Sequence, residues 1–67
     1  MAIGKKIREE RKKRNLKQQE LAKKAGISNT YLSDIEVGRS NPSIKTLRKI
    51  SKALGIDSSK FLDEEDD

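Results

Sequence analysis

The chain has neither cysteine nor histidine, and these two absences remove several kinds of chemistry. Without cysteine there is no disulfide and no thiolate nucleophile, and without histidine there is no imidazole base. The same two residue types supply most ligands of ordinary zinc sites. We therefore expect no metal site, no cofactor and no enzymatic activity in these 67 residues.

Long apolar runs are absent as well. A membrane-spanning helix needs about 18 or more consecutive apolar residues, and no run in this sequence approaches that length. The N-terminus also lacks the apolar region of a signal peptide. The sequence thus predicts a cytoplasmic protein with no membrane association. A single domain of this size buries only about 60% of its unfolded surface, so we expect a small core.

Positive charge is what the chain has in excess, with 16 lysines and arginines against 11 acidic residues. Five of the acids form the terminal run 63–67, so residues 1–62 hold 16 basic and 6 acidic side chains, a formal charge of +10. A domain this basic attracts a polyanion. The basic first helix has only Ala2, Ile3 and Ile7 as apolar residues, too few to insert into a membrane surface. We therefore predict a nucleic-acid-binding domain over 1–62 and an acidic disordered tail over 63–67.

Apolar residues recur at helical spacing, and nothing alternates as a strand would. Four helices are predicted near residues 2–13, 18–25, 29–36 and 44–54, and a short fifth begins at Asp57 or Ser58. Asn15 is expected to end the first helix in a left-handed conformation, and Ser43 to cap the fourth. The fourth helix should bury one apolar stripe, Ile44, Leu47, Ile50 and Leu54.

Residues 18–36 hold the most informative pattern of the chain, QQELAKKAGISNTYLSDIE. Leu21, Ala22 and Ala25 form one helical stripe, and Gly26 stands where that helix must end and the backbone must become left-handed. We expect a side chain at residue 26 to clash with the turn. The pattern predicts two short helices joined by a tight turn, a helix-turn-helix.

The second helix of this pair has an apolar face and a polar face. Ser28 can cap its start, while Leu32 and Ile35 continue the apolar stripe. The side chains that remain outward are short and form hydrogen bonds: Asn29, Thr30, Ser33 and Asp34. Such side chains can reach base edges in a DNA major groove, although they equally suit a solvated helix face.

Taken together, residues 3–62 resemble the lambda-repressor-like, XRE-family (Cro/CI-like) helix-turn-helix domains, and within them the SinR-like subgroup. The residues that carry the resemblance are Ile7, Arg8, Arg11, Leu16, Gln18, Glu20, Leu21, Ala22, Ala25, Gly26, Ile27, Ser28, Tyr31, Leu32, Ile35, Glu36, Gly38, the segments Asn41–Ser43 and Leu54–Ile56, and Phe61 with Leu62. The resemblance implies a compact, five-helix, all-α fold in which helices two and three form the helix-turn-helix.

The resemblance also implies roles for particular residues. Arg11 and Glu36 would form a structural ion pair between the first and third helices, with a forked contact that lysine cannot reproduce. Gln18 would bind a phosphate while contacting the recognition helix. The sequence departs from the family at Lys17, where a serine or threonine N-cap is usual, so the capping box with Glu20 is incomplete.

The function predicted from these features is sequence-specific binding of double-stranded DNA by a transcriptional repressor. The residues expected to read bases are Ser28, Asn29, Thr30, Ser33 and Asp34. Those expected to bind the DNA backbone are Lys17, Gln18, Tyr31, Arg39 and Asn41. A homodimer on a two-fold symmetric operator would use the loop before the fourth helix together with Ile56, Phe61 and Leu62, although these three side chains fit equally well in the small core.

Two other functions remain open at the level of the sequence. The fold can serve as a protein-docking coactivator or antitoxin-like module with an unknown regulatory partner. An RNA-binding domain is disfavoured, because the deep groove of A-form RNA excludes a recognition helix. The acidic tail is either a solubilising end or a segment that competes with phosphate for the basic surface.

Overall fold

The computed structural model describes residues 3–62, which fold as five helices. The helices are α1 (Ile3–Lys13), α2 (Gln18–Ala25), α3 (Asn29–Val37), α4 (Ile44–Leu54) and α5 (Ser59–Leu62). No strand occurs between residues 3 and 62, so the predicted all-α class is confirmed. The acidic run 63–67 and the side chain of Leu62 lie outside the described part of the chain.

The helix boundaries follow local signals that the sequence displays. Asn15 has a left-handed φ of 55° after α1, and Ser43 Oγ accepts a hydrogen bond from the Thr46 N–H at 3.1 Å to cap α4. The third helix extends one residue beyond the predicted end, to Val37, because Gly38 supplies the left-handed residue that ends it.

Gly26 ends α2 with a left-handed φ of 72° and hydrogen-bonds back to the helix. A Cβ at this position would meet no neighbouring atom within 4 Å, so the expected clash with the turn is wrong. The backbone conformation is what favours glycine, since a Cβ in the left-handed region crowds its own carbonyl.

The start of α2 has half of a capping box. Glu20 Oε1 accepts from the Lys17 N–H at 2.7 Å, whereas the Lys17 side chain makes no capping hydrogen bond. An ammonium group has no acceptor, so this half cannot form. The prediction of an incomplete box is confirmed.

Ten apolar side chains form the buried core: Ile7, Leu21, Ala22, Ala25, Leu32, Ile35, Leu47, Ile50, Leu54 and Phe61. Ile44 was expected among them, but it is 53% exposed. It is the first residue of α4, and the buried part of the apolar stripe begins at Leu47. The helix packs mainly against α2, while α3 packs against both α1 and α2.

Gly4 sets the approach of α1 to α3. A Cβ at this position would overlap the carbonyl oxygen of Ile35, so only glycine permits the observed backbone contact. The contact lies at the C-terminal half of α3, away from the polar residues at the start of that helix.

Candidate nucleic-acid interface

The N-terminal half of α3 presents the polar residues that the sequence singled out. Ser28 Oγ accepts from the Tyr31 N–H at 3.0 Å and so caps the helix. Ser28, Asn29 and Thr30 are exposed, and Ser33 and Asp34 are half-buried. The five predicted base-reading side chains thus belong to one capped helix end, with the first three the most accessible.

The opposite face of α3 is fixed to the core and to α1. Arg11 Nε donates to Glu36 Oε2 at 2.8 Å, and Arg11 Nη2 donates to Glu36 Oε1 at 3.0 Å. Both residues are buried. A two-bond guanidinium–carboxylate contact fixes orientation as well as distance, so it holds α3 at a defined angle to α1.

Two further hydrogen bonds extend this ion pair. Arg11 Nη1 donates to the Leu16 carbonyl oxygen at 2.8 Å, which secures the turn between α1 and α2. Gln18 Nε2 donates to Glu36 Oε1 at 3.2 Å. Gln18 therefore contacts α3 as expected, and its side-chain carbonyl oxygen takes part in no hydrogen bond among residues 3–62.

The other residues expected at the DNA backbone surround α3. Lys17, Arg39 and Asn41 are exposed, while Tyr31 is half-buried with its ring against the core. Arg39 Nη1 lies 3.8 Å from Asp34 Oδ1, and the Arg39 N–H donates to the Asp34 carbonyl oxygen at 2.8 Å. Arg39 thus partly neutralises the one carboxylate on the polar face of α3.

A buried carboxylate on α1 was missed at the level of the sequence. Glu10 is only 1% exposed, and it is surrounded by Arg14 Nη1 at 2.8 Å, Lys60 Nζ at 3.3 Å and Lys13 Nζ at 3.4 Å. The hydrogen bond from Arg14, with smaller contributions from Lys60 and Lys13, outweighs burial and lowers the pKa of Glu10 to about 2. The signal in the sequence was the spacing of Glu10 to Arg14, a helical i,i+4 pair.

Arg14 consequently has a structural role. Its Nε donates to the Leu54 carbonyl oxygen at 2.8 Å and its Nη1 to the Glu10 carbonyl oxygen at 2.9 Å. These bonds join the end of α1 to the end of α4, and Lys60 joins α5 to the same cluster.

The residues assigned to a dimer contact divide between core and surface. Phe61 is fully buried, so of its two proposed roles the structure supports the core, and the folded chain offers none of its surface to a partner. Ile56 is half-buried and packs against the core. The large exposed apolar side chains of the described chain are instead Val37, at 63%, and Ile44, at 53%, on either side of the loop before α4.

Within residues 3–62, no cluster of three or more acidic side chains is placed to hold a metal ion. None of the helices in this same range has the length and apolar character needed to cross a membrane.

Comparison with known proteins gives one consistent family. A helix-turn-helix family model matches residues 7–61. The immunity repressor protein of Bacillus phage phi105 is 48% identical over 65 residues, which cover 97% of this chain and 45% of the repressor. The 10 kDa protein of the ImmF control region of the same phage is 51% identical over 55 residues, covering 82% of this chain and 61% of that protein. The chain therefore spans about half the length of these relatives.

The fold has a close match among solved structures. The crystal structure of SinR, the master regulator for biofilm formation, in complex with DNA superimposes with a TM-score of 0.85 at 41% identity, covering 90% of this chain and 97% of the SinR chain. These proteins are regulators of transcription rather than enzymes, in agreement with the expectation for this chain.

Proposed function

Because this chain belongs to the helix-turn-helix family of XRE and Cro/CI type, we propose that it is a sequence-specific regulator of transcription that represses by binding double-stranded DNA. One observation carries the proposal. The N-terminal half of α3 exposes Ser28, Asn29 and Thr30, while Arg11 and Glu36 fix the helix from behind. A rigid helix that leaves one polar end accessible is the arrangement needed in a major groove.

Three of the proposed base-reading side chains have a matching base edge. Asn29 can make two hydrogen bonds to an adenine, and Thr30 can offer its methyl group to a thymine. Asp34 can accept from a cytosine amine, and its neighbour Arg39 reduces the repulsion between its carboxylate and the phosphates. Asp34 then favours sites where cytosine is in reach and disfavours others.

The residues around α3 hold the DNA backbone in this proposal. Lys17 and Arg39 supply positive charge, while Gln18, Tyr31 and Asn41 supply hydrogen-bonding groups. Gln18 is oriented by Glu36, the same carboxylate that orients the recognition helix, so base-reading and backbone-binding groups share one anchor. Phosphate contacts set position, and base contacts set sequence preference.

We further propose that two copies bind together on a two-fold symmetric operator. One small domain makes few base contacts, whereas two recognition helices about 34 Å apart read successive major grooves. The loop before α4 and Ile56 are the proposed contacts. Val37 and Ile44 flank this loop and lose water-exposed apolar surface when a second copy covers them.

Selection of bound sequences from a random duplex library tests both proposals. We expect enrichment of an inverted repeat whose half-sites are centred about one helical turn apart, or a multiple of it. Enrichment of no sequence would contradict base reading. Footprinting that showed one chain on a single asymmetric half-site would contradict the dimer and leave base reading intact.

The matched control is a pair of substitutions at the two exposed apolar residues. Val37→Ser with Ile44→Ser alters α3 only at its last residue and leaves the reading residues unchanged, so a single half-site should bind as before. The apparent affinity for the full inverted repeat should fall, because two copies no longer stabilise each other on DNA. Equal loss on half-site and full site would place these residues on the DNA and not between copies.

A further inference from the structure

Cations outnumber carboxylates in the cluster that joins α1 to α5. Two ammonium groups approach the same oxygen, Glu10 Oε2, with Lys13 Nζ at 3.4 Å and Lys60 Nζ at 3.3 Å. Arg14 Nη1 lies 2.8 Å from the other oxygen, Glu10 Oε1. Three cations around one carboxylate leave an excess of positive charge at this point of the surface.

The two lysines of this cluster remain able to bind a further anion. Their side chains are 66% and 46% exposed, for Lys13 and Lys60 respectively. An ammonium group has three donors, and among residues 3–62 each of these two contacts only Glu10. Lys6, which is half-buried, lies seven residues before Lys13 and therefore on the same face of α1. We call Lys6, Lys13 and Lys60 the α1–α5 lysine surface.

Nearby carboxylates of the described chain do not neutralise this excess. Glu9 lies one turn before Lys13 but forms no ion pair with it. Asp57 Oδ1 accepts from the Ser59 N–H at 3.0 Å at the start of α5. Because Lys13 and Lys60 share one oxygen, their ammonium groups repel each other. A second anion placed over both lysines would offset that repulsion.

The acidic run 63–67 begins within reach of these lysines. Asp63 is three residues after Lys60, so even an extended chain separates their Cα atoms by at most about 11 Å. The run itself can span up to about 17 Å, whereas Lys6 and Lys13 are about 10 Å apart along the axis of α1. The covalent link keeps the acids at a high effective concentration, so contacts too weak to hold separate molecules together can form.

We propose that the acidic run 63–67 binds the α1–α5 lysine surface of its own chain and clamps α5 onto α1. The fifth helix has only four residues, too few for a helix to be stable alone, yet it carries the fully buried Phe61. A clamp on the residues that follow α5 would hold Phe61 in the core. It would also neutralise lysines that otherwise add to the attraction for random DNA.

This contact goes beyond the proposed function, because it forms within one chain and does not involve base reading by α3. Carbodiimide crosslinking of the full chain tests it directly, since the reagent joins an ammonium group and a carboxylate that touch, without a spacer. Peptide mapping should find links from residues 63–67 to Lys6 and Lys13 in preference to Lys5 and Lys12, which are exposed elsewhere on α1. The links should decline at 1 M salt, where the Debye length is about 3 Å.

The crosslinking experiment has two outcomes that would overturn the proposal. Links spread equally over Lys5, Lys12 and the lysines of α4 would show that the run has no defined binding surface. A mixture of isotopically light and heavy protein identifies links between chains. If most links joined a light chain to a heavy chain, the run would bind a second copy and would not clamp its own α5.

Thermal melts of matched variants test whether the contact stabilises the fold. Replacing the five acids by their amides, Asp→Asn and Glu→Gln, keeps the length of the chain and removes the charge. In the parent background this replacement should lower the melting temperature by about 3 °C at low salt. In the background Lys6→Gln/Lys13→Gln the same replacement should change it by less than about 1 °C, because the partners of the run are already removed.

The control background is Lys5→Gln/Lys12→Gln, which removes the same charge from the same helix. There the amide replacement should retain its full effect of about 3 °C. Equal shifts in the two lysine backgrounds would reduce the effect to net charge, and no shift in the parent would remove the clamp; either result would overturn the proposal. Sequence preference for the selected duplex, measured in the same variants, reports base reading separately, so the two proposals can fail independently.

Discussion

Polar side chains are buried on the inner face of α1 and exposed at the start of α3. On α1, the carboxylate of Glu10 and the guanidinium of Arg11 are buried, and each has several partners within hydrogen-bonding distance. At the start of α3, Asn29 and Thr30 are exposed, and their side chains make no hydrogen bond within residues 3–62. The first region is satisfied within the fold, and the second is available to a ligand.

The difference separates charges that build the domain from groups that act on a partner. A buried ion pair leaves a costly unpaired charge when one member is removed, so its loss acts on folding. An exposed amide or ammonium loses little when it is removed from the free protein, so its loss acts on binding. Composition alone counts every basic side chain toward one charged surface. The contacts separate the charges that stabilise the fold from the groups that remain exposed.

Arg11→Ala should have the largest effect. The substitution leaves Glu36 buried without its forked partner and should lower the free energy of unfolding by about 3 kcal/mol. For a domain of this size that corresponds to a melting temperature lower by roughly 15 °C. Arg8→Ala, one turn earlier on α1 and exposed, is the control and should change the melting temperature little. Equal stability of Arg11→Ala and the parent would show that the pair has no structural role.

Glu10→Gln should have the next largest effect, and that effect should depend on pH. The pKa of Glu10 falls to about 2 from an ordinary value of 4.5, so folding favours the ionised form. The stabilisation is complete above about pH 5 and is lost as the pH falls from about 4.5 to 2. Urea unfolding near pH 7 should show Glu10→Gln less stable by about 2 kcal/mol, with the difference closing in acid.

Glu9→Gln is the matched control for that titration. Glu9 is the adjacent residue on α1 but is exposed. Its substitution should give a small difference in stability that changes little between pH 7 and pH 2. A Glu10→Gln difference that persisted unchanged at pH 2 would contradict ionic stabilisation and leave only a change in packing.

The sequence predicts the parts of this structure that depend on nearby residues. Gly26, Ser43 and Gly55 mark helix ends by their own backbone preferences or caps, so the bounds of α2 and α4 agree with expectation. The pairing of Arg11 with Glu36 spans 25 residues, and it was expected only through the resemblance to a family. Local signals carry no information about which distant residue faces a given side chain.

Two residues whose burial the sequence did not predict correctly, Ile44 and Glu10, show the same limit of local sequence signals. Ile44 continues the apolar spacing of α4, yet it is exposed at the first position of that helix. The i,i+4 spacing of Glu10 and Arg14 was visible, but burial of the carboxylate requires Lys60 and the end of α4 to close over it. Burial depends on the arrangement of all five helices, which no window of sequence contains.

Asn29→Ala and Lys17→Gln should separate base reading from backbone binding. Asn29→Ala should leave stability unchanged and lose about 1 to 3 kcal/mol of preference at one base pair. Lys17→Gln should weaken binding to all duplexes alike and reduce the salt slope by about 1. Affinities for the selected site and for its single-base variants, measured across a salt series, check both. A uniform loss in Asn29→Ala would remove it from the reading residues.

Removal of the acidic run 63–67 should have the smallest effect. The negative charge of this run lies outside the described residues. Five negative charges follow a domain of formal charge +10, in which 16 basic and 6 acidic residues remain. Non-specific binding consists almost entirely of counterion release, so an acidic segment that competes with phosphate weakens non-specific binding more than specific binding. A chain ending at Leu62 should then bind random duplex a few-fold more tightly at low salt.

The salt dependence distinguishes this competition from a solubilising role. The difference between the full and shortened chains should fade as the Debye length shortens to about 8 Å near physiological ionic strength, because the segment is then screened from the basic surface. A matched chain in which the five acids are replaced by serine and glycine keeps the length and removes the charge, so it should behave as the shortened chain does. If all three proteins bound random duplex equally at every salt concentration, the acidic run would contribute to solubility alone, and specificity would rest entirely on the contacts of α3.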